Sequence, residues 1–279
     1  MLVGQAAGHP PGYPLPVEET SLEFIGTATT LLRLGPFTLL TDPNFLHRGQ
    51  LAYLGKGLFS RRRTEPSLQP ADLPPLDAVV LSHLHGDHFD RVARRELDRG
   101  LPVLTTPAAE RKLRSWGFEA ARGFETWEST SLERDGWTLR VTAMPGVHGP
   151  GPVRLLMPPV MGSVLELRAP DGRTHRTYVS GDTLHRPWLR DVVERTGPLD
   201  AAVLHLGGTR ALGILVTMDA QQGADLTELL GAGVTVPVHY DDYGVFRSPL
   251  SDYEAACSAR DLPGRVRLVG RGERIGLTP

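Results

Sequence analysis

The sequence predicts an α/β fold, mixed β-sheets flanked by helices, in a chain whose 279 residues allow one large domain or two small ones. Apolar runs rich in β-branched residues recur at strand rather than helix length, as in Thr29–Leu34, Ala78–Leu81, Leu199–Leu206 and Val234–Val238. Stretches of helical composition fall between them, which fits helices lying outside packed sheets. Several runs end in aspartate or histidine, as in Thr41-Asp42, Ser180-Gly181-Asp182 and Val238-His239.

Residues 1–19 contain His9-Pro10-Pro11-Gly12 and Pro14-Leu15-Pro16, and such a density of Pro and Gly implies an irregular arm. Leu22–Ile25, Thr29–Leu34 and Phe37–Thr41 read as three strands broken at Gly26 and Gly35-Pro36. Residues 44–76 form a long connection that carries Arg61-Arg62-Arg63 among apolar residues. It reads either as a cover meeting an anionic or lipid-like substrate or as a solvated basic turn. Phe89–Arg99 is helical in composition with Gly100 as its stop, Pro102–Thr105 is a strand, and Thr106-Pro107 opens a helix through about Trp116. Arg122–Thr126, Ser129–Glu133 and Trp137–Ala143 are strands, the last two joined by Asp135-Gly136. Ser163–Arg168 and Thr174–Ser180 flank Asp171-Gly172 as a further hairpin. Asp219 is a candidate N-cap for a helix over Ala220–Leu230. A last helix near Pro249–Arg260, with Ser251-Asp252-Tyr253-Glu254 as its capping box, precedes strands at Arg265–Val269 and Arg274–Leu277.

Composition narrows the function. The 279 residues carry a formal net charge of −2 and 40% hydrophobic residues, which excludes both a nucleic-acid-coating protein and a disordered chain. The single cysteine, Cys257, excludes an internal disulfide and a thiolate-rich zinc site. No apolar run reaches the ~18 residues of a membrane span and no leader pattern opens the chain, so a cytoplasmic protein is expected.

The chemistry concentrates in Ser82-His83-Leu84-His85-Gly86-Asp87-His88, just past the apolar run Ala78–Leu81. Three imidazoles and a carboxylate in six residues are poor packing material but good ligands for a divalent metal. In an extended segment His83 and His85 point to one side, so one ion can take both. Gly86 lets the chain turn, so that Asp87 and His88 reach a second point nearby.

His-x-His-x-Asp-His resembles the signature of the metallo-β-lactamase superfamily, and the resemblance extends over roughly residues 21–277. It implies a four-layer αββα sandwich with the site along one edge of the two sheets. It further implies that His148 completes one metal site with His83 and His85, that His239 completes another with Asp87 and His88, and that Asp182 bridges them. Asp42 would support these ligands from outside, since ligating histidines need an outer partner. Two divalent metal ions are expected, zinc foremost, with manganese or iron also suited to these ligands. Class B β-lactamases carry Cys where this chain has Asp182, which argues against β-lactam hydrolysis. Leu40-Thr41-Asp42-Pro43, Ser180-Gly181-Asp182-Thr183, Thr217-Met218-Asp219 and Val238-His239-Tyr240 look like the branch of ascorbate-6-phosphate lactonase and N-acyl-phosphatidylethanolamine phospholipase D.

That branch implies a hydrolase in which metal-activated water attacks a lactone, ester or phosphodiester of a small or lipid-like substrate. Asp87 and Asp182 are the expected catalytic carboxylates, Asp87 orienting the attacking oxygen. Tyr240, Arg210 and Arg247, and less directly Arg154, lie near site loops as candidate substrate contacts. A tRNA-processing nuclease, a mononuclear-iron redox enzyme and a non-catalytic binding protein are the alternatives. The slightly acidic charge and the lack of a long basic arm argue against a stable nucleic-acid partner. His185, three residues after Asp182, has no assigned role.

Overall fold

The computed structural model describes residues 20–211 and 213–278. The expected N-terminal arm and His9 lie outside the described residues. Among the described residues, seventeen strands and five α-helices follow in chain order. The first half runs β1 (Thr20–Gly26), β2 (Thr29–Leu34), β3 (Phe37–Thr41), β4 (Leu51–Tyr53), β5 (Phe59–Arg61), β6 (Ala78–Val80), α1 (Arg91–Glu96), β7 (Val103–Thr105), α2 (Pro107–Ser115) and β8 (Ala121–Gly123). The second runs β9 (Ser129–Arg134), β10 (Trp137–Pro145), β11 (Met161–Arg168), β12 (Thr174–Val179), α3 (Arg190–Thr196), β13 (Ala201–His205), β14 (Arg210–Ala211), β15 (Ile214–Leu215), α4 (Ala220–Leu230), β16 (Val234–Val238), α5 (Leu250–Ser258) and β17 (Arg274–Gly276).

One sheet has the order β17-β1-β2-β3-β6-β7-β8, the other β16-β13-β12-β11-β10-β9. The period-two alternation of each strand explains the layering. Leu32, Leu39 and Val80 face inward with Val141, Leu165, Val203 and Val236 of the opposite sheet. Their neighbours Leu31, Leu40 and Val79 face outward, where Val92 and Ala93 of α1 and Leu113 of α2 cover them. On the far side Ala202 and Leu204 meet Val192 of α3, Leu226 and Leu230 of α4, and Tyr253 of α5. Three apolar layers between four layers of structure make the αββα sandwich.

The parallel segments place the site. β3, β6 and β7 run parallel in the first sheet, and β12, β13 and β16 in the second. Their carboxyl ends meet at one edge, where Met161 N–H donates to Ser82 O at 3.0 Å across the sheets. His83, Asp182 and His239 all follow these ends. Local chemistry holds the ends in register: Asp135 and Gly136 adopt positive φ in the β9–β10 turn, and Asp219 caps α4 by accepting from Gln222 N–H at 3.1 Å.

Three expectations need correction. The 44–76 connection is partly regular, since Leu51–Tyr53 pairs with Phe59–Arg61. Arg265–Val269 is not a strand: it makes a single bridge, Thr235 with Val266, and its start is a 3-10 turn. The Ser251–Glu254 capping box does not form, because the helix begins at Leu250 with Pro249, two residues before Ser251, as its N-cap, and Pro249 has no capping side chain.

The basic run also divides. Arg61 and Arg63 are exposed, but Arg62 is buried against Asp242 at 3.3 Å and donates to Asn44, whose side chain also accepts from the Tyr243 hydroxyl at 3.0 Å. Asp242 keeps a second cation in Arg271, at 3.0 Å. Arg62→Ala is therefore expected to cost about 3 kcal/mol, because a desolvated carboxylate loses one of its two cationic partners. A lower denaturant midpoint with an unchanged slope would register this loss.

Candidate metal centre

Four donor groups come from the loop after β6. His83, His85 and His88 gather with ring centroids 4.1–4.8 Å apart for the pairs that include His83. The chain turns at Gly86 as expected, His88 N–H donating to His85 O at 3.1 Å, but Gly86 has ordinary φ, so the turn by itself does not require glycine. The neighbouring hairpin does: Gly86 N–H donates to Tyr53 O at 2.9 Å, and a Cβ there would lie 2.6 Å from that oxygen. Gly181 is needed for a different reason. Its φ of +62° disfavours other residues, and a Cβ would press within 2.8 Å of Ser82.

His148 arrives on the loop after β10, Asp182 after β12 and His239 after β16. Donor atoms of His83, His85 and His148 lie within 4.8 Å of one another, and so do those of Asp87, His88 and His239. Asp182 shares a third such group with His83 and His88, one residue from each set. Its carboxylate also lies 3.4 Å from His88 Nε2 and 3.6 Å from His239 Nδ1. All seven residues predicted as ligands thus converge at one place.

Each of four rings has one nitrogen held from behind. His83 Nδ1 pairs with Ser82 Oγ at 3.0 Å, His148 Nδ1 with Val216 O at 2.9 Å, His239 Nδ1 with Leu206 O at 3.1 Å, and His88 Nδ1 with Asp42 Oδ2 at 2.9 Å. That pattern sets the tautomer and turns Nε2 toward the site, as metal-binding histidines require; it has no partner in His88, His148 and His239, and in His83 it lies 3.1 Å from His85 Nδ1. Asp42 is the hub. It accepts from the Ser82 backbone at 2.7 Å and the Ser82 hydroxyl at 2.8 Å, from His88, and from His205 Nε2 at 3.1 Å. Asp42 and His239 both have positive φ, 35° and 63°, a strained backbone of the kind that collects at functional sites.

Electrostatics agree with a cation. Asp42, Asp87 and Asp182 are all buried, and the charges near them are histidines. Burial alone would raise the Asp42 carboxyl, but charge on His88 and hydrogen bonds from His205 and His88 bring it down to about 2. Burial likewise works against Asp182, yet His239 and His88 hold it well below the usual range. His83 is held well below its ordinary value by burial and by the His88 charge, and His85 falls to about 4 through burial and His148. These rings are neutral, the form that ligates. His88 is pushed the other way: burial opposes its charge, but the Asp182, Asp42 and Asp87 carboxylates overcome this and hold a proton on it. A divalent ion would supply that positive charge directly.

The site floors a cavity of about 390 Å³ whose walls include Leu58, Phe59, Leu156, Met157, Lys56 and Arg210. Arg210 is thus where the sequence reading placed it. Tyr240 and Arg247 are not among the cavity residues. The Tyr240 ring packs against Phe24 with centroids 6.3 Å apart, and Arg247 lines a separate polar recess with Asp219 and Ser248. Arg154 borders a third depression beside Arg186, and His185 lies apart with Glu194 and Asp225. Two contributors escaped sequence reasoning. His205 sits inside an apolar run and had no assigned role, and Thr217, which donates to Asp182 Oδ2 at 3.0 Å, carried no motif beyond its family resemblance.

An αββα sandwich with buried histidines and aspartates converging at its strand ends defines a metal-dependent hydrolase fold. The β-lactamase superfamily domain matches residues 38–240, and the chain belongs to that superfamily. An uncharacterized Mycobacterium tuberculosis protein is 28% identical over 88% of this chain and 67% of its own length. A metal-dependent hydrolase of Pyrococcus furiosus is 25% identical over 76% of this chain and 86% of its own. An N-acyl-phosphatidylethanolamine-hydrolyzing phospholipase D of Caenorhabditis elegans is 24% identical, covering 79% and 63%. Among solved structures, a possible metal-dependent hydrolase from Veillonella parvula superposes with a TM-score of 0.78 over 92% of this chain and 99% of its own, at 24% identity. Among the described residues, no helix is long and apolar enough to cross a membrane.

Proposed function

We propose that the chain is a dinuclear metal-dependent hydrolase acting on an ester, lactone or phosphodiester bond of a small, lipid-like substrate. The observation that carries this reading is a set of five buried ligand atoms without a hydrogen-bond partner: Nε2 of His88, His148 and His239, and Oδ1 of Asp87 and Asp182. Each stranded polar atom costs roughly 1–3 kcal/mol, so five meeting at one point call for a bound group. His83, His85 and His148 would hold one divalent ion, Asp87, His88 and His239 a second, and Asp182 would serve both, with zinc the expected metal. Such ions supply Lewis acidity and a water of lowered pKa.

The chain's own groups do the rest. Asp87 lines the cavity and orients the attacking water, while Thr217 fixes Asp182 through its other oxygen. Lys56 and Arg210 on the wall receive an anionic group of the substrate. Leu58, Phe59, Leu156 and Met157 receive an apolar chain and keep bulk water away. The lipid specificity in the name of the Caenorhabditis elegans relative supports the same substrate class.

Elemental analysis of protein purified without chelator tests this, with bis-p-nitrophenyl phosphate and an acyl lactone assayed on the same sample. About two metals per chain with turnover of either substrate is the expected result. One iron per chain without hydrolysis would favour the redox alternative, and no metal after reconstitution would refute the proposal.

A further inference from the structure

Nine large apolar side chains are exposed among the described residues, and seven of them stand on three segments around the cavity mouth. The β4–β5 hairpin carries Leu51, Tyr53, Leu58 and Phe59. Its outer face is built from Leu51 opposite Arg61 and Tyr53 opposite Phe59, with Ala52 and Ser60 turned inward. The 3-10 turn at Gly151–Leu155 carries Leu155 and, just after it, Leu156, and the β14–β15 hairpin carries Ile214. Leu155 is 78% exposed, Phe59 59% and Tyr53 51%. Exposure on this scale is unfavourable in water, and a cluster of it around one opening marks a contact surface.

Charge on the same segments is of one sign. No carboxylate occurs between Asp42 and Glu65, between Asp135 and Glu166, or between Asp200 and Asp219, although the chain has 32 acidic residues and a net charge of −2. The exposed charges there are Arg48, Lys56, Arg61, Arg63, Arg154 and Arg210, with Arg140 further back along β10. Large apolar side chains interleaved with cations and free of acids are the composition that inserts at an anionic lipid headgroup layer. A second copy of this chain, itself net negative but presenting the same cations, would repel like charge across such a contact.

We propose that this rim docks the protein on an anionic lipid surface, with the cavity facing the headgroups. The docking goes beyond the hydrolase reading and is measured without it. The test is co-sedimentation of the full chain with vesicles of phosphatidylglycerol and phosphatidylcholine, against vesicles of phosphatidylcholine alone. Binding to the anionic vesicles is expected, about tenfold stronger than to the neutral ones and weakened to a similar degree in about 0.5 M salt. Leu155→Glu combined with Ile214→Glu, both outside the cavity lining, is expected to lower vesicle binding about tenfold. Metal content and hydrolysis of a soluble substrate should be unchanged in that variant. No binding to anionic vesicles would overturn the proposal, as would undiminished binding of the variant. A concentration-dependent dimer abolished by the same two substitutions would also overturn it, making a second copy the occupant.

Discussion

Asp182→Ala and His148→Ala are each expected to lower kcat/KM by roughly 10³-fold or more, the equivalent of the several kcal/mol that bound cations contribute to a charged transition state. The two should differ in metal content. His148 belongs to one donor set, so its loss is expected to empty one position and leave Asp87, His88 and His239 able to hold an ion. Asp182 groups with residues of both sets, so its loss is expected to weaken both positions. Its buried carboxylate also lies beside His88 and His239, so removing it leaves positive charge at that position with less compensation. Metal content of the two variants, measured beside turnover, checks this; equal metal content and unaltered turnover in Asp182→Ala would overturn the bridging role.

Asp42→Ala is expected to lower metal affinity by about 10- to 100-fold while leaving every ligand in place. The carboxylate takes hydrogen bonds from Ser82, His88 and His205, and its removal frees the His88 ring and the start of the ligand loop together. Because the effect runs through positioning, excess metal should restore much of the lost activity, which it cannot do for a missing ligand. His205→Ala should fall in the same direction with a smaller effect, since Asp42 keeps its other donors. Metal titrations followed by activity at each occupancy separate these cases. A loss in kcat that saturating metal leaves untouched would instead place Asp42 in the chemistry.

What could be read from sequence follows the range over which each signal acts. The ligand motif was legible because His83, His85, Asp87 and His88 are chain neighbours whose spacing states their geometry. The strands of the core were legible because apolar alternation is local too. His205 was not, because its value depends on Asp42, which only the fold brings within 3.1 Å. Tyr240 was misplaced for the converse reason: it follows a ligand in sequence, yet its ring turns into the core. The β4–β5 hairpin escaped because three-residue strands scarcely establish a period, and its outer face is apolar where solvent exposure predicts polar residues. Arg265–Val269 has the composition of a strand but finds one bridge, so tertiary pairing rather than propensity decided it.

The position of the donors at the junction of the two sheets has a consequence for how the molecule is assembled. His83, His85, Asp87 and His88 belong to the first sheet, while His148, Asp182 and His239 follow strands of the second. A cation held by His83, His85 and His148 would therefore act as a further staple between two halves already joined by apolar packing and by hydrogen bonds such as Met161 N–H to Ser82 O and His205 to Asp42. Neither half alone carries a complete set, so metal uptake would mark the last step of folding, after the sheets have docked. The staple would also set the holoprotein's resistance to unfolding: at metal concentrations a thousandfold above Kd, the linked stabilisation is about 4 kcal/mol. Chelation would then loosen the seam between the sheets first, and the interior of each sheet would open later.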